Sequence, residues 1–226
     1  MGDVAPVGQP HEQPPGRSRG RPAVPLDRIL AAAIELVDEH GADALSMRSL
    51  AQRLRSGTAT LYRHFANRSE LVAMMVDRLL GEIELDAETV AALPWQQACI
   101  SFAQIMFDAL GRHGNLASLL IGHVPMGPNA LAHRELILSV LLDSGFPQVV
   151  AAHAYATLAR YVLGFGIQLP GSATDRDAEL AAAFHELDPS RYPATVAVAD
   201  ELPVPLEEEF AYGLRLIVAG LEKLGR

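Results

Sequence analysis

Residues 46–71 read SMRSLAQRLRSGTATLYRHFANRSEL, and the placing of apolar side chains in this stretch decides the fold. Ser46 carries a hydroxyl able to cap a helix N-terminus. Behind it Met47, Leu50, Ala51 and Leu54 share one face at helical spacing. Arg55-Ser56-Gly57 breaks the pattern. A short helix then runs from about Thr58 to Phe65, with Leu61 and Phe65 on one face. Asn67 with Glu70 resembles a capping box and opens a longer helix reaching about Ile83, whose apolar face is Leu71, Met74, Met75, Leu79 and Ile83. Two short helices joined by a tight turn make a helix-turn-helix. In the second of them Leu61 and Phe65 pack inward, which leaves Thr58, Ala59, Thr60, Tyr62, Arg63 and His64 outward. Small residues at that end let the helix approach base edges. Its N–H groups and the hydroxyl, phenol, imidazole and guanidinium groups are all able to bind phosphate.

Working outward, Ile29, Leu30, Ala33, Ile34 and Val37 predict a supporting helix from Leu26 to His40, stopped by Gly41. Residues 1–24 are rich in Pro, Gly and Gln and read as a disordered arm. Its Arg17, Arg19 and Arg21 suit a minor groove; a plain flexible tail is the other reading. Downstream, helices are expected at Pro94–Arg112, Asn115–Ile121, Pro128–Ser144, Pro147–Gln168, Asp175–Leu187 and Pro205–Leu224, punctuated by Gly and Pro. No stretch alternates with period two, and there is no internal repeat. The expected fold is all-α: an arm over 1–24, a three-helix helix-turn-helix DNA-binding domain over 25–72, and a helical ligand-binding and dimerisation domain over 73–226.

The net charge of −9 in 226 residues is unevenly spread. Residues 17–72 hold nine arginines against six acids, whereas residues 73–226 hold nine basic residues against nineteen acids. Between Asp43 and Glu70 five arginines stand with no acid. Such asymmetry points to an anionic partner at one end of the chain, or to a solvated basic face. Cys99 is the single cysteine, so no internal disulfide forms and a reducing compartment fits. The N-terminus has neither the basic start nor the apolar stretch of a secretory signal. The longest apolar run, near Val149 to Leu169, is interrupted by His153, Arg160 and Gly164 and reads as a buried helix rather than a membrane span. A cytoplasmic protein is expected. The histidines form no zinc-binding pair. Asp175, Asp177, Glu179 and Glu186 imitate a calcium loop only until Leu180, which stands where glycine is required. No cofactor, metal or catalytic motif is expected, and the chain does not read as an enzyme.

The segment Arg48 to Phe65, above all Thr60-Leu61-Tyr62-Arg63-His64-Phe65, together with Ala66-Asn67-Arg68-Ser69-Glu70-Leu71, resembles the tetracycline-repressor (TetR) family of transcriptional regulators. The resemblance covers about residues 26–75, roughly a fifth of the chain. It implies that Arg48 contacts DNA from the start of the second helix. It implies that Thr58, Ala59, Thr60 and Arg63 face the groove, and that Tyr62, His64 and Arg68 hold phosphates. Arg55, Ser56 and Gly57 depart from the family's usual glycine, apolar residue and polar cap. Either Arg55 adopts a left-handed backbone, at a cost on the order of 1 kcal/mol, or Gly57 absorbs that geometry.

Phe210, Leu214, Ile217, Leu221 and Leu224 form the seam of a helix packed along another helix. The seam suits either a subunit interface or core packing within one subunit. A homodimer is expected, since two helix-turn-helix units spaced by about 34 Å read DNA with useful specificity. The resemblance places its interface near 147–168 and 205–224. Trp95, Phe102, Met106, Phe107, His123, Met126 and Tyr161 are candidates for a mostly apolar ligand pocket, or else plain core. His123, in a helix break, is the foremost polar candidate. The expected function is a repressor that a small-molecule inducer releases from a double-stranded DNA operator by shifting the fourth helix. Two alternatives are an enzyme or carrier whose first helices only resemble the motif, and a regulator without a ligand.

Overall fold

The computed structural model describes residues 24–121, 124–169 and 174–224. The expected arm, including Arg17 to Arg21, and His123 lie outside the described residues. Among those described there is no strand. The first four helices are α1 (Leu26–His40), α2 (Met47–Arg53), α3 (Thr58–Leu61) and α4 (Arg68–Gly81). They are followed by α5 (Ala87–Ala91), α6 (Trp95–Arg112), α7 (Pro128–Asp143) and α8 (Gln148–Gly166). The last are α9 (Thr174–His185), α10 (Pro193–Ala197) and α11 (Leu206–Glu222). Tighter 3₁₀ turns fill Ala42–Ala44, Gly114–Leu120 and Ala199–Glu201.

The local chemistry explains the boundaries. Gly41 ends α1 at φ 82°, and its N–H donates to the Val37 carbonyl; the missing Cβ makes that backbone cheap. Ser46 Oγ accepts from the Ser49 N–H at 3.0 Å, while Ser49 Oγ accepts from the Ser46 N–H at 2.9 Å. The capping box thus satisfies donors at both ends of the first turn of α2. Asn67 Oδ1 caps α4 through the Glu70 N–H at 3.0 Å. The Glu70 carboxylate reaches one residue further back than expected, to the Ala66 N–H. The third helix is shorter than the expected 58–65, since α3 closes at Leu61 and continues as turns to Phe65. α5 and α10 were not expected. Each has five residues, too few to show a periodicity, although the Asp86 side chain that caps α5 is a visible signal.

The turn after α2 is a Schellman motif: the Ser56 N–H donates to the Ala51 carbonyl and the Arg55 N–H to the Gln52 carbonyl. Arg55 takes the left-handed conformation at φ 50°, while Gly57 stays extended at φ −86°. The strain therefore sits on a residue with a Cβ. Arg55→Gly is expected to stabilise the protein by about 0.5–1 kcal/mol. The check is a urea titration, in which a lower midpoint would contradict the assignment.

One cluster of buried side chains runs from Ile29 in α1 to Leu221 in α11. α6 lies at its centre, packed against α7, α8 and α11. α4 joins the two halves of the molecule, with α1 on one side and α7 on the other. A position between residues 72 and 73 falls inside α4, and Leu71, Val72, Met75 and Val76 around it are all buried. α1 is also tied directly to the 3₁₀ turn after α6. His113 Nδ1 lies 2.8 Å from Asp38 Oδ2, and Asn115 Nδ2 donates to the Asp38 carbonyl at 3.0 Å.

Candidate nucleic-acid interface and ligand cavity

α3 is held from beneath by Leu61 and Phe65, which are 0% and 1% exposed. Its other side chains are thereby turned out: Thr58, Ala59, Tyr62 and Arg63 are exposed, Thr60 and His64 half-buried. Arg48, at the second position of α2, is exposed as well. Electrostatics sharpen this surface. Arg53 forms a two-pronged ion pair with Glu39 at 2.6 and 2.7 Å and reaches Glu35 at 3.0 Å. Its hydrogen bonds hold the Glu39 carboxyl below its usual range. Two acids of α1 are thus neutralised by the arginine on the inner side of the turn, while Arg48, Arg55 and Arg63 make no ion pair among the described residues. The cationic groups left over are those flanking and lining α3. Arg68 is engaged differently: Nε donates to the Leu45 carbonyl at 2.9 Å and Nη2 to the Ala42 carbonyl at 3.2 Å. It therefore anchors the α1–α2 connection to α4, with its remaining nitrogen left for an outside contact.

Beyond α4 lies a cavity of about 510 Å³ between α4, α6, α7 and α8. Its volume is within the range of small-molecule sites. Small side chains make the room: Ala109, Ala130, Ala156 and Ala159 line it from three helices. The rest of the wall is mostly aliphatic, and α4 itself contributes Val76, Leu79 and Leu80, with Ile83 just beyond its end. The polar groups are His133, Arg134, Tyr155 and Arg160. His133 sits edge-on to Phe102 at 6.2 Å. Burial pushes its imidazole below the ordinary range, against a smaller opposing pull from Asp77, so the ring is neutral at pH 7. Its Nδ1 is buried without a hydrogen-bond partner among the described residues.

Where α4 meets α7, Asp77 serves as the cap that α7 lacks in its own sequence. Gly127 precedes α7 and offers no side chain. Asp77 Oδ1 instead accepts from the N–H groups of Asn129 and Ala130 at 3.0 and 3.1 Å. Asn129 Nδ2 returns to Asp77 Oδ2 at 3.1 Å and to the Asp77 carbonyl at 3.0 Å. A carboxylate on orphan N–H groups at a helix N-terminus is a strong contact. It lies within one helical turn of the cavity-lining Leu80, Ala130 and His133.

The ligand candidates divide. Phe102 and Met106 line the cavity. Trp95, Phe107, Met126 and Tyr161 do not. Trp95, at the start of α6, packs edge-on against Phe146 at 4.9 Å. Phe107 stacks on Phe210 at 4.1 Å. The Tyr161 hydroxyl donates to the Phe210 carbonyl at 2.8 Å. Met126 is exposed beside Arg134. Trp95, Phe107 and Tyr161 belong to helices that the cavity touches, but at positions turned toward other neighbours, and Met126 lies in the connection before α7. His133, Arg134, Tyr155 and Arg160 were missed. For Tyr155 and Arg160 the signal was the placing of Tyr155, Ala156, Ala159, Arg160 and Leu163 on one stripe of α8, where small and polar residues share a face; His133 and Arg134 stand on α7, with no such stripe to mark them. Of the two readings of the seam on the last helix, core packing within one subunit is the one observed. Phe210, Leu214 and Leu221 are buried within this one subunit, Ile217 packs against the same core, and Leu224 is exposed. Instead, the neighbouring stripe of α11 leaves Tyr212 and Leu216 at 59% and 57% exposure, and α8 beside it leaves Val149 at 67%. Cys99 is fully buried and its thiol is pushed up to about 11 by desolvation, so it is unreactive at neutral pH.

Among the described residues no cluster of His, Cys, Asp or Glu could hold a metal ion, and no helix is long and apolar enough to cross a membrane.

Residues 29–75 match the family of bacterial regulatory proteins named tetR, and residues 92–224 match the tetracyclin repressor-like C-terminal domain. The chain is 33% identical over 152 residues to an HTH-type transcriptional regulator of Saccharopolyspora erythraea, spanning 67% of this chain and 64% of that one. It is 30% identical over 219 residues to the HTH-type transcriptional repressor DrrR1 of Streptomyces coeruleorubidus, covering 92% of this chain and 81% of the relative. The fold superimposes on apo ActR from Streptomyces coelicolor with a TM-score of 0.79 at 29% identity, covering 89% and 96% of the two chains. Against ActR in complex with actinorhodin the TM-score is 0.77 at 30% identity, over 90% and 100%.

Proposed function

The chain belongs to the tetracycline-repressor family of transcriptional regulators, and from that membership we propose that it is a cytoplasmic repressor released from its operator by a small molecule. Thr58, Ala59, Thr60 and Arg63 meet the major groove; Arg48, Tyr62 and His64, with the free nitrogen of Arg68, hold phosphates. The dimer forms through the outer faces of α8 and α11, where Val149, Tyr212 and Leu216 are uncovered. Burying such a stripe against a second copy removes apolar surface from water on both sides. Residues 25–72 act as the DNA-reading unit and residues 73–226 as the sensing and pairing unit, with α4 common to both.

The observation that carries this reading is the cavity's wall. α4 leaves the helix-turn-helix and itself lines the cavity through Val76, Leu79 and Leu80. An occupant that fits one position of α4 better than another shifts the population between them, and both α3 helices of the dimer move with it. The Asp77 contact makes α4 and the start of α7 move together.

The test is fluorescence-anisotropy binding of the whole protein to DNA flanking its own gene. Affinity is expected to depend on sequence and to fall by about a thousandfold between about 50 and about 200 mM salt, as befits the roughly six arginine charges that Arg48, Arg63 and Arg68 of two protomers bring to the DNA. Equal, weak binding to every sequence would overturn the reading.

A further inference from the structure

The cavity is electrically unlike the domain that contains it. Residues 73–226 carry nineteen acids against nine basic residues, yet among the described residues no carboxylate lines the cavity, and two arginines do. Neither arginine is neutralised. Arg134 donates to the Pro125 carbonyl at 2.9 Å and lies against Met126 Sδ at 3.4 Å, with its guanidinium 5.6 Å from the Tyr155 ring centroid. All three partners are uncharged, so they hold the guanidinium in place and leave its charge uncompensated. Arg160 makes one long contact, 3.4 Å, to the Ala156 carbonyl of its own helix. Among the described residues neither forms an ion pair. His133 adds a ring whose Nδ1 has no hydrogen-bond partner among the described residues. The same cavity is lined by Leu79, Ile83, Phe102 and Met106.

Cations bordering an apolar space, with no acid paired to them among the described residues, are arranged for an anion that arrives with its own apolar surface. We propose that the ligand of this protein is an organic anion with a large apolar body, its acid group paired with Arg134 and Arg160 and its body against α4 and α6. This rests on the reading of the cavity as the effector site. It also adds selectivity: a cationic compound of the same size meets two arginines and no acid, and is rejected.

Two fluorescent probes separate charge from shape. 8-Anilinonaphthalene-1-sulfonate and N-phenyl-1-naphthylamine share one ring skeleton and differ by the sulfonate. Titrated into the full-length protein, the sulfonate is expected to bind at least about tenfold more tightly than the neutral probe, the scale of one charge-assisted contact. Arg160→Gln is expected to lower sulfonate affinity about tenfold and to leave the two probes nearly equal, with Arg160→Lys recovering most of the difference. Ala159→Phe and Ala109→Phe fill the cavity from two different helices, and each is expected to displace both probes. Neutral probe binding as tightly as the sulfonate, or an Arg160→Gln variant losing both equally, overturns the proposal and leaves the effector site standing. If neither probe binds, or neither filling variant displaces them, the effector-site reading falls and the proposal with it.

Discussion

Replacing Tyr62 and Arg63 together by alanine is expected to weaken operator binding by at least about a hundredfold while the unfolding transition stays in place. Both side chains stand on the outer face of α3, Tyr62 at 56% exposure, and Arg63 has no ion pair among the described residues. Each is present twice in a dimer, so the double substitution removes four contacts. At about 1 kcal/mol each, a low figure for a phosphate or base contact, the sum is about 4 kcal/mol, nearly a thousandfold. The helix itself is fixed by Leu61 and Phe65, so the stability change stays within about 0.5 kcal/mol, the usual range for surface positions. Anisotropy titration against the operator, paired with a urea titration, checks both halves. A loss under about threefold would show that α3 does not read DNA. A parallel loss of stability would show that the effect was on folding.

The largest effect on the fold itself is expected from Phe210→Ala, at about 3–5 kcal/mol. Phe210 is 0% exposed and holds three helices together. Its ring stacks on Phe107 of α6 at 4.1 Å and an interplanar angle of 12°, and meets Tyr161 and Phe165 of α8 at 5.2 and 5.5 Å. The Tyr161 hydroxyl seals the same junction by donating to the Phe210 carbonyl. Truncation removes every one of these ring contacts and leaves a void that two packed helices cannot close. Because α11 is positioned by this cluster, weaker self-association should accompany the loss of stability. Urea unfolding and sedimentation measure the two. A cost below about 1.5 kcal/mol would mean that the cluster relaxes around the gap, as only the most tolerant core sites do.

The sequence was most legible where a local rule has few competitors. α1 begins and ends at the expected Leu26 and His40, because one-face periodicity and a terminal glycine agree. The caps at Ser46 and Asn67 were readable for the same reason. The choice between Arg55 and Gly57 for the left-handed position was not, because it depends on where the helix runs out of register with its own carbonyls, which here falls on Arg55. Pocket residues were harder still. α6, α7 and α8 are apolar on more than one face, and periodicity does not tell a face against a neighbour from a face against an empty space. Phe102 was recognisable as a large residue in a middle helix, and so, for the same reason, was Trp95, which packs elsewhere. What marks the cavity is the smallness of Ala109, Ala130, Ala156 and Ala159, a signal of absence. The last helix gave a true seam whose owner its spacing left open: the periodicity of Phe210, Leu214 and Leu221 is satisfied by α6 and α8 of the same chain.

The Asp77 contact reaches beyond allostery. A Cβ on Gly127 would lie 2.2 Å from Asp77 Oδ1, and one on Gly81 would lie 2.7 Å from Asn129 Nδ2. Two bare backbones thus make room for the two side chains, and a short side chain such as aspartate has nowhere to withdraw. Asp77, Gly81, Gly127 and Asn129 therefore cannot drift one at a time: a first substitution at any of them strands or collides with the others. In evolutionary terms the four are expected to be inherited as one character. A lineage free to remodel its cavity for new effectors must keep this joint whole or rebuild it in a single concerted step.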